Sequence, residues 1–360
     1  MNQNKYYVQP LGLLRGCSTS NGYFKCLAGG NIYFSALKIF TRSANEVHQE
    51  IVYVEGLDEY QKALPADKQE CLGNLIENIQ KARPPLSLRC GLEIDWQNPV
   101  IQGVLNITPD SFSDGGSFED FDDSFAYAQS MIGAGADIID IGGESTRPGA
   151  DPVSIENEKG RVLPIIEKLA GKNAILSIDS RNAEVMQEAI TAGAHIINDV
   201  SALSHDPRSV EVLRSTGVPI VLMHVQGSPA SMQDSPEYEN VLLDIYDYLN
   251  SRIEFCIQAG ISPDKIIVDP GIGFGKTVSH NLQIINNLSI FHGLGVPLLL
   301  GVSRKSFIGK VSSTVIPAKR MAGSIAAAQV CLDQGAQIIR VHDVEETSQA
   351  VSIWNAIGQV

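Results

Sequence analysis

Basic residues are scarce in this chain. It holds 27 Lys+Arg against 41 Asp+Glu, a formal charge of −14 over 360 residues. General nucleic-acid binding needs the opposite balance, and docking to an anionic membrane surface is disfavoured for the same reason. None of the six cysteines (Cys17, Cys26, Cys71, Cys90, Cys256, Cys331) sits in a C-x-x-C pair, so the usual zinc and dithiol signatures are missing. The opening MNQNKYYVQPLGLLRGC has no apolar core of the kind a secretory leader needs, and no apolar run has the length of a membrane span. Free thiols in such a chain point to the cytoplasm. Internal repeats and low-complexity tracts are also missing. What remains is 44 % hydrophobic and 19 % charged, the composition of a globular protein with a sizeable core.

The charge is divided unevenly. Residues 1–98 carry ten basic and ten acidic residues, whereas residues 99–360 carry 17 and 31 and hold the entire excess. The texture changes at the same place, where the proline-rich ARPPLSLRCGLEIDWQNPV reads as a connector. We therefore expect an N-terminal appendage over 1–98 and a second unit over 99–360. Within the appendage YYVQPLGLL, NIYFSALKIFTR and EIVYVEG read as strands and KQECLGNLIENIQKA as a helix, giving a small α+β fold without a chemical motif.

After Pro99 short apolar runs alternate with amphipathic stretches. The runs cover 100–107, 136–143, 174–180, 195–201, 219–225, 265–271, 297–303 and 336–343. Near-continuous apolarity suits parallel strands covered on both faces. Eight such β-α units predict a (β/α)8 barrel, with a doubly wound open sheet as the alternative.

Barrel active sites lie where the strands end. Read in order, those ends carry Asn106; Glu144 with Ser145, Thr146 and Arg147; Asp179; Asn198 with Asp199; His224; Asp269; Ser303 with Arg304 and Lys305; and Arg340 with His342. Any one of these could be a cap or a buried hydrogen-bonded group, but packing does not call for so many around one mouth. The cations in an otherwise acidic barrel imply an anionic substrate, although Arg304 could simply neutralise Asp199, Glu144 or Asp269. Two loops, 108–118 and 144–154, are longer than simple βα turns. They bring Phe112, Phe118, Thr146 and Arg147 to the same end. In DPGIGFGK (269–276) the glycine spacing fits no phosphate-loop rule, so those glycines serve close backbone approach.

The same residues carry a family resemblance. GVLNITPDSFSDGG (103–116), DIIDIGGESTRPGA (137–150), SIDSRNAEV (177–185), IINDVSA (196–202), IIVDPGIGFGK (266–276), GVSRKSFIG (301–309) and IRVHD (339–343) resemble the signature blocks of dihydropteroate synthases, from about Val100 to the end of the chain. The resemblance implies condensation of 7,8-dihydropterin-6-ylmethyl pyrophosphate with 4-aminobenzoate, giving 7,8-dihydropteroate and pyrophosphate. It implies a pterin site of Asp179, Asn198, Met223, Asp269, Phe274 and Lys305. It places pyrophosphate on Asn106, Arg340 and His342, with Mg²⁺ at Asn106. It places aminobenzoate on Phe112, Thr146, Arg147, Pro148 and Ser306. The catalytic set it implies is Asn106, Asp179, Lys305, Arg340 and His342, acting by dissociative substitution in a homodimer whose second substrate sulfonamides imitate. Two other readings use the same barrel: a methyltetrahydrofolate-binding methyltransferase, and a non-catalytic pterin-binding partner subunit. The resemblance leaves residues 1–98 without a role.

Overall fold

The structure, a computed structural model, describes residues 4–16, 22–44, 46–89, 91–107, 118–144, 153–172, 174–227 and 232–359. Phe112, Thr146, Arg147 and Pro148 lie outside them.

The extension contains β1 (Lys5–Leu11), β2 (Leu14–Arg15), β3 (Lys25–Cys26), β4 (Ile32–Phe34), β5 (Ala36–Arg42) and β6 (Val47–Tyr53), then helices α1 (Leu57–Lys62) and α2 (Ala66–Gln80). Strands β1, β5 and β6 form one antiparallel sheet in that order, and β2, β4 and β3 a second. A short antiparallel pair follows, β7 (Leu86–Ser87) with β8 (Glu93–Ile94).

The barrel begins at β9 (Val100–Asn106). It continues with α3 (Phe118–Gly133), β10 (Ile138–Gly142), α4 (Ile155–Leu169), β11 (Ile175–Asp179), α5 (Ala183–Ala192), β12 (Ile196–Asp199), α6 (Ser209–Thr216), β13 (Ile220–Met223), α7 (Val241–Gln258), β14 (Ile266–Asp269) and α8 (Val278–Asn286). Next come β15 (Leu299–Leu300), α9 (Ser306–Ser312), α10 (Met321–Asp333), β16 (Ile338–Val341) and α11 (Val344–Ile357). The strands form one parallel eight-stranded sheet in the order β14-β13-β12-β11-β10-β9-β16-β15. A parallel bridge between Val268 and Leu298 joins its two ends. This is the (β/α)8 barrel that the alternation predicts, with antiparallel sheets in the N-terminal extension.

Side chains along a strand alternate between faces, and that period builds the barrel interior in layers. At the floor, each of the eight strands contributes one apolar residue: Val100, Ile138, Ile175, Ile196, Val221, Ile267, Leu299 and Ile338. Leu86, Leu88 and Ile94 pack against them from below, with Trp96 at the margin. The segment that reads in sequence as a connector is thus the plug of the barrel floor. It folds back on itself through β7 and β8, and its Leu86, Leu88 and Ile94 are buried because the barrel would otherwise open to water there.

The extension is joined to the barrel by one continuous apolar cluster. Tyr7, Phe34, Leu37 and Ile39 belong to the same cluster as Tyr246, Phe291 and Leu294. Polar contacts reinforce it. Arg42 pairs with Asp244 and Glu239, at 2.6 Å in each case. Arg83, almost fully buried, donates to the carbonyls of Asn78, Lys81 and His292.

Candidate active site

Two residues above the floor the inward positions turn polar. They include Gln102 on β9, Asp140 on β10, Ser177 on β11, Asn198 on β12, Asp269 on β14 and Arg340 on β16. All but Arg340, which is half-buried, are buried. Asp140 organises the layer. Its Oδ2 accepts from Arg340 Nε at 2.6 Å and from Asn198 Nδ2 at 2.9 Å. Arg340 Nη2 donates in turn to Asp179 Oδ2 at 2.8 Å. One guanidinium therefore bridges two carboxylates.

The Asn198 contact fixes more than a distance. Only the amide nitrogen can donate to a carboxylate, so the amide oxygen is the end left for other partners. Burial raises the Asp179 carboxyl above its ordinary range; Arg340 opposes the shift and Asp140 adds to it. Burial likewise raises Asp269, opposed by the N–H of Gly271, which donates to Oδ1 at 2.7 Å, and then by Lys305.

Lys305 precedes the first turn of α9, and its Nζ lies 4.1 Å from the centre of the Phe274 ring, a cation–π contact. Phe274 sits in the 269–276 turn. Gly271 has φ +71°, and a β-carbon there would lie 1.9 Å from the His224 carbonyl oxygen; Gly275 (φ +59°) would lie 2.4 Å from that of Gln226. These glycines serve close backbone approach, as their spacing implies. Met223, buried at the end of β13, is in register with Asp269. Asn106 ends β9 in register with Gly142, and its Oδ1 and the Oδ2 of Asp179 both lie within 4 Å of where a side chain on Gly142 would begin. His342 follows β16. Its backbone N–H donates to Ser303 Oγ at 3.2 Å, and its Nδ1 lies 3.1 Å from the same oxygen. Ser306 opens α9 and is exposed.

The structure thus brings Asn106, Asp179, Asn198, Met223, Asp269, Phe274, Lys305, Ser306, Arg340 and His342 to one end of one barrel. Other strand-end residues turn elsewhere. Arg304 pairs through Nε (3.1 Å) and Nη2 with Asp343, and not with Asp199, Glu144 or Asp269. Asp199 accepts from Ser201 and Leu203 in its own turn. Glu144 takes both ends of Arg181, at 2.9 and 3.1 Å. Sequence reading misses Asp140, because a lone carboxylate inside an apolar run looks like any buried polar residue; its inward register with the floor residue Ile138 was the available signal. It also misses Lys276, buried at the end of the glycine-rich turn.

Residues 102–342 match the pterin binding enzyme family. The chain is 47 % identical over 267 residues to the dihydropteroate synthase of Escherichia coli strain K12, covering 74 % of this chain and 94 % of that one. It is 42 % identical to the Bacillus subtilis enzyme of the same name over 72 % of this chain and 89 % of that one. Among solved structures, the Yersinia pestis dihydropteroate synthase with a sulfonamide drug complex superposes with a TM-score of 0.73 at 47 % identity, covering 77 % of this chain and 100 % of that one. The Xanthomonas albilineans enzyme in complex with 7,8-dihydropteroate superposes with a TM-score of 0.70 at 38 % identity, covering 77 % and 100 %. Residues 1–98 precede the family match, and the identity and coverage of these relatives are decisive for the rest: this chain belongs to the pterin-binding enzymes and, within them, to the dihydropteroate synthases.

Proposed function

We propose that the chain condenses 7,8-dihydropterin-6-ylmethyl pyrophosphate with 4-aminobenzoate to give 7,8-dihydropteroate and pyrophosphate. The observation that carries the reading is the acceptor set at the mouth: the Asp179 and Asp269 carboxylates and the oxygen end of Asn198, which Asp140 holds by its nitrogen. A reduced pterin presents N–H groups along one edge, and such a set accepts them. Lys305 supplies the complementary donor, and Phe274 and Met223 pack on the ring.

His342 and Arg340 hold the pyrophosphate. Arg340 is shared with Asp179, so substrate recognition and leaving-group binding meet at one guanidinium. No cluster of three or more His, Cys, Asp or Glu fit to hold a metal occurs among the described residues. A Mg²⁺ ion shared with substrate phosphates takes few protein ligands, commonly one or two carboxylates; Asn106 Oδ1, which lies with Asp179 Oδ2 near Gly142, would supply one oxygen. When bound, the ion neutralises charge on the leaving oxygen.

The bond between the pterin methylene carbon and the pyrophosphate oxygen breaks, its electron pair leaving with pyrophosphate. The electron-rich dihydropterin stabilises the resulting cation. The neutral arylamine nitrogen attacks the methylene carbon and loses a proton to water, so no strong general base and no covalent enzyme intermediate are required. Phe112, Thr146, Arg147 and Pro148, with Ser306, form the aminobenzoate site, which sulfonamides would also occupy. A homodimer in the cytoplasm completes the reading.

Incubating the protein with pterin pyrophosphate, Mg²⁺ and 4-aminobenzoate is the direct test. Dihydropteroate in the products supports the assignment, and pterin binding without turnover would favour a partner subunit. The relatives found give no support to a methyltransferase.

A further inference from the structure

Lys276 ends the glycine-rich turn and is almost fully buried, yet it has no part in the mechanism above. Its Nζ lies 2.9 Å from His224 Nδ1, 2.9 Å from the Phe274 carbonyl oxygen and 3.4 Å from that of His224. An ammonium has three N–H donors and no acceptor, so these three oxygen and nitrogen atoms match it one for one. With Lys276 as the ammonium, Nδ1 accepts and the ring proton of His224 sits on Nε2. Burial lowers His224 to about 2, with Lys276 adding to the shift, so the ring is neutral as this bonding requires.

The charged and titratable neighbours of the amine are Asp269, Lys305, His224 and His280. Burial lowers Lys276, Asp269 opposes the shift, and Lys305 adds to it.

The arrangement ties two strand ends together. His224 follows β13, and its backbone N–H donates to the Asp269 carbonyl at 2.9 Å. Phe274 carries the ring on which Lys305 rests. Asn281 of α8 braces the turn from the other side, accepting from Gly273 N at 2.7 Å.

We propose that Lys276 is a positioning residue for the pterin: it holds Phe274 and the Asp269 turn at their working separation without touching substrate. The proposal rests on the pterin reading of this mouth. Lys276→Met keeps the length of the stem and removes the donors. The KM for pterin pyrophosphate should then rise about tenfold or more, with kcat and the KM for aminobenzoate within about twofold, the pattern of lost uniform binding. His224→Leu removes one acceptor by a different route and should move the same constant in the same direction. In the double variant the two effects should fall short of additive, because both act through one contact.

Calorimetry with a reduced pterin alone repeats the test without turnover. A wild-type protein that binds the pterin but makes no dihydropteroate would sink the reaction assignment and leave this test intact. Wild-type pterin affinity in either single variant would overturn the proposal, as would equal losses in kcat and both KM values.

Discussion

Asp140→Asn is the most informative single change, because one oxygen holds two partners. Asp140 Oδ2 takes the Arg340 Nε–H at 2.6 Å and the Asn198 Nδ2–H at 2.9 Å. An amide oxygen can still accept both, so the hydrogen bonds survive while the charge is lost. A bond to a charged group contributes about 1.5–3 kcal/mol against about 0.5–1.5 for a neutral one. The Asn198 bond becomes neutral on both sides and loses about 1 kcal/mol; the Arg340 bond stays charge-assisted through the guanidinium but loses its ion pairing, for a total cost of about 2 kcal/mol, reduced somewhat because a buried carboxylate no longer has to be desolvated. With a urea slope of about 3 kcal/mol/M, the unfolding midpoint should fall by roughly 0.5 M.

Function should change in two further ways. Asn198 keeps a partner but loses the acceptor-only carboxylate that fixes which end of its amide faces Asp140, since an amide can donate as well as accept, so the KM for pterin pyrophosphate should rise. Asp140 also raises the Asp179 carboxyl; without it, Asp179 stays ionised to lower pH. If the Asp179 carboxylate is the form that binds pterin, activity falls as pH falls through its pKa, and the acid limb of kcat/KM should move to lower pH in the variant. An acid limb displaced upward, or an unchanged pterin KM in a protein destabilised as expected, would refute the role assigned to Asp140.

Asp269→Asn should weaken pterin binding by about 1–3 kcal/mol, since a ligand N–H loses its carboxylate; calorimetry giving wild-type affinity would remove Asp269 from the site. His292 is fully buried, and its pKa is pushed down to about 3 by burial and then by Arg83. Between about pH 6 and 3 the unfolded chain gains a proton there that the folded chain does not, so His292 should cost about 1.4 kcal/mol of stability per pH unit as pH falls. His292→Gln should flatten the urea stability curve by that slope, and parallel curves would contradict it. Although residues 1–98 carry no catalytic motif, a chain beginning at Trp96 loses Leu86, Leu88 and Ile94 from the barrel floor. At about 1.5–3 kcal/mol per buried aliphatic side chain, and with Tyr246 and Phe291 newly exposed, it should be insoluble or molten by near-UV circular dichroism; a native-like melt would show that the barrel stands alone.

The strands of the barrel were legible because each is buried on both faces and so reads as an apolar run. Ile138–Gly142, Ile175–Asp179 and Ile266–Asp269 fall within the segments expected from pattern alone. Strand-end residues such as Asp179 and Asp269 were legible because a charge that closes such a run has to face the mouth. Asp140 was not, since its meaning depends on Asn198 and Arg340, 58 and 200 residues away, meeting it when the barrel closes. Arg304 shows the opposite failure: its neighbours in sequence are site residues, but its guanidinium finds Asp343. The proline-rich segment reads as a linker because hydropathy alone cannot say that its few apolar residues meet the floor of a barrel.

That plug makes the two ends of the barrel thermodynamic neighbours. A ligand at the mouth stabilises every part that must unfold with the mouth. Since Leu86, Leu88 and Ile94 share one layer with all eight strands, and the extension shares one cluster with the helices around them, substrate occupancy should slow exchange of those amide protons in the extension's sheets that open only with the barrel. The extension therefore serves as a remote reporter of occupancy, readable by hydrogen exchange in a part of the chain with no chemistry of its own.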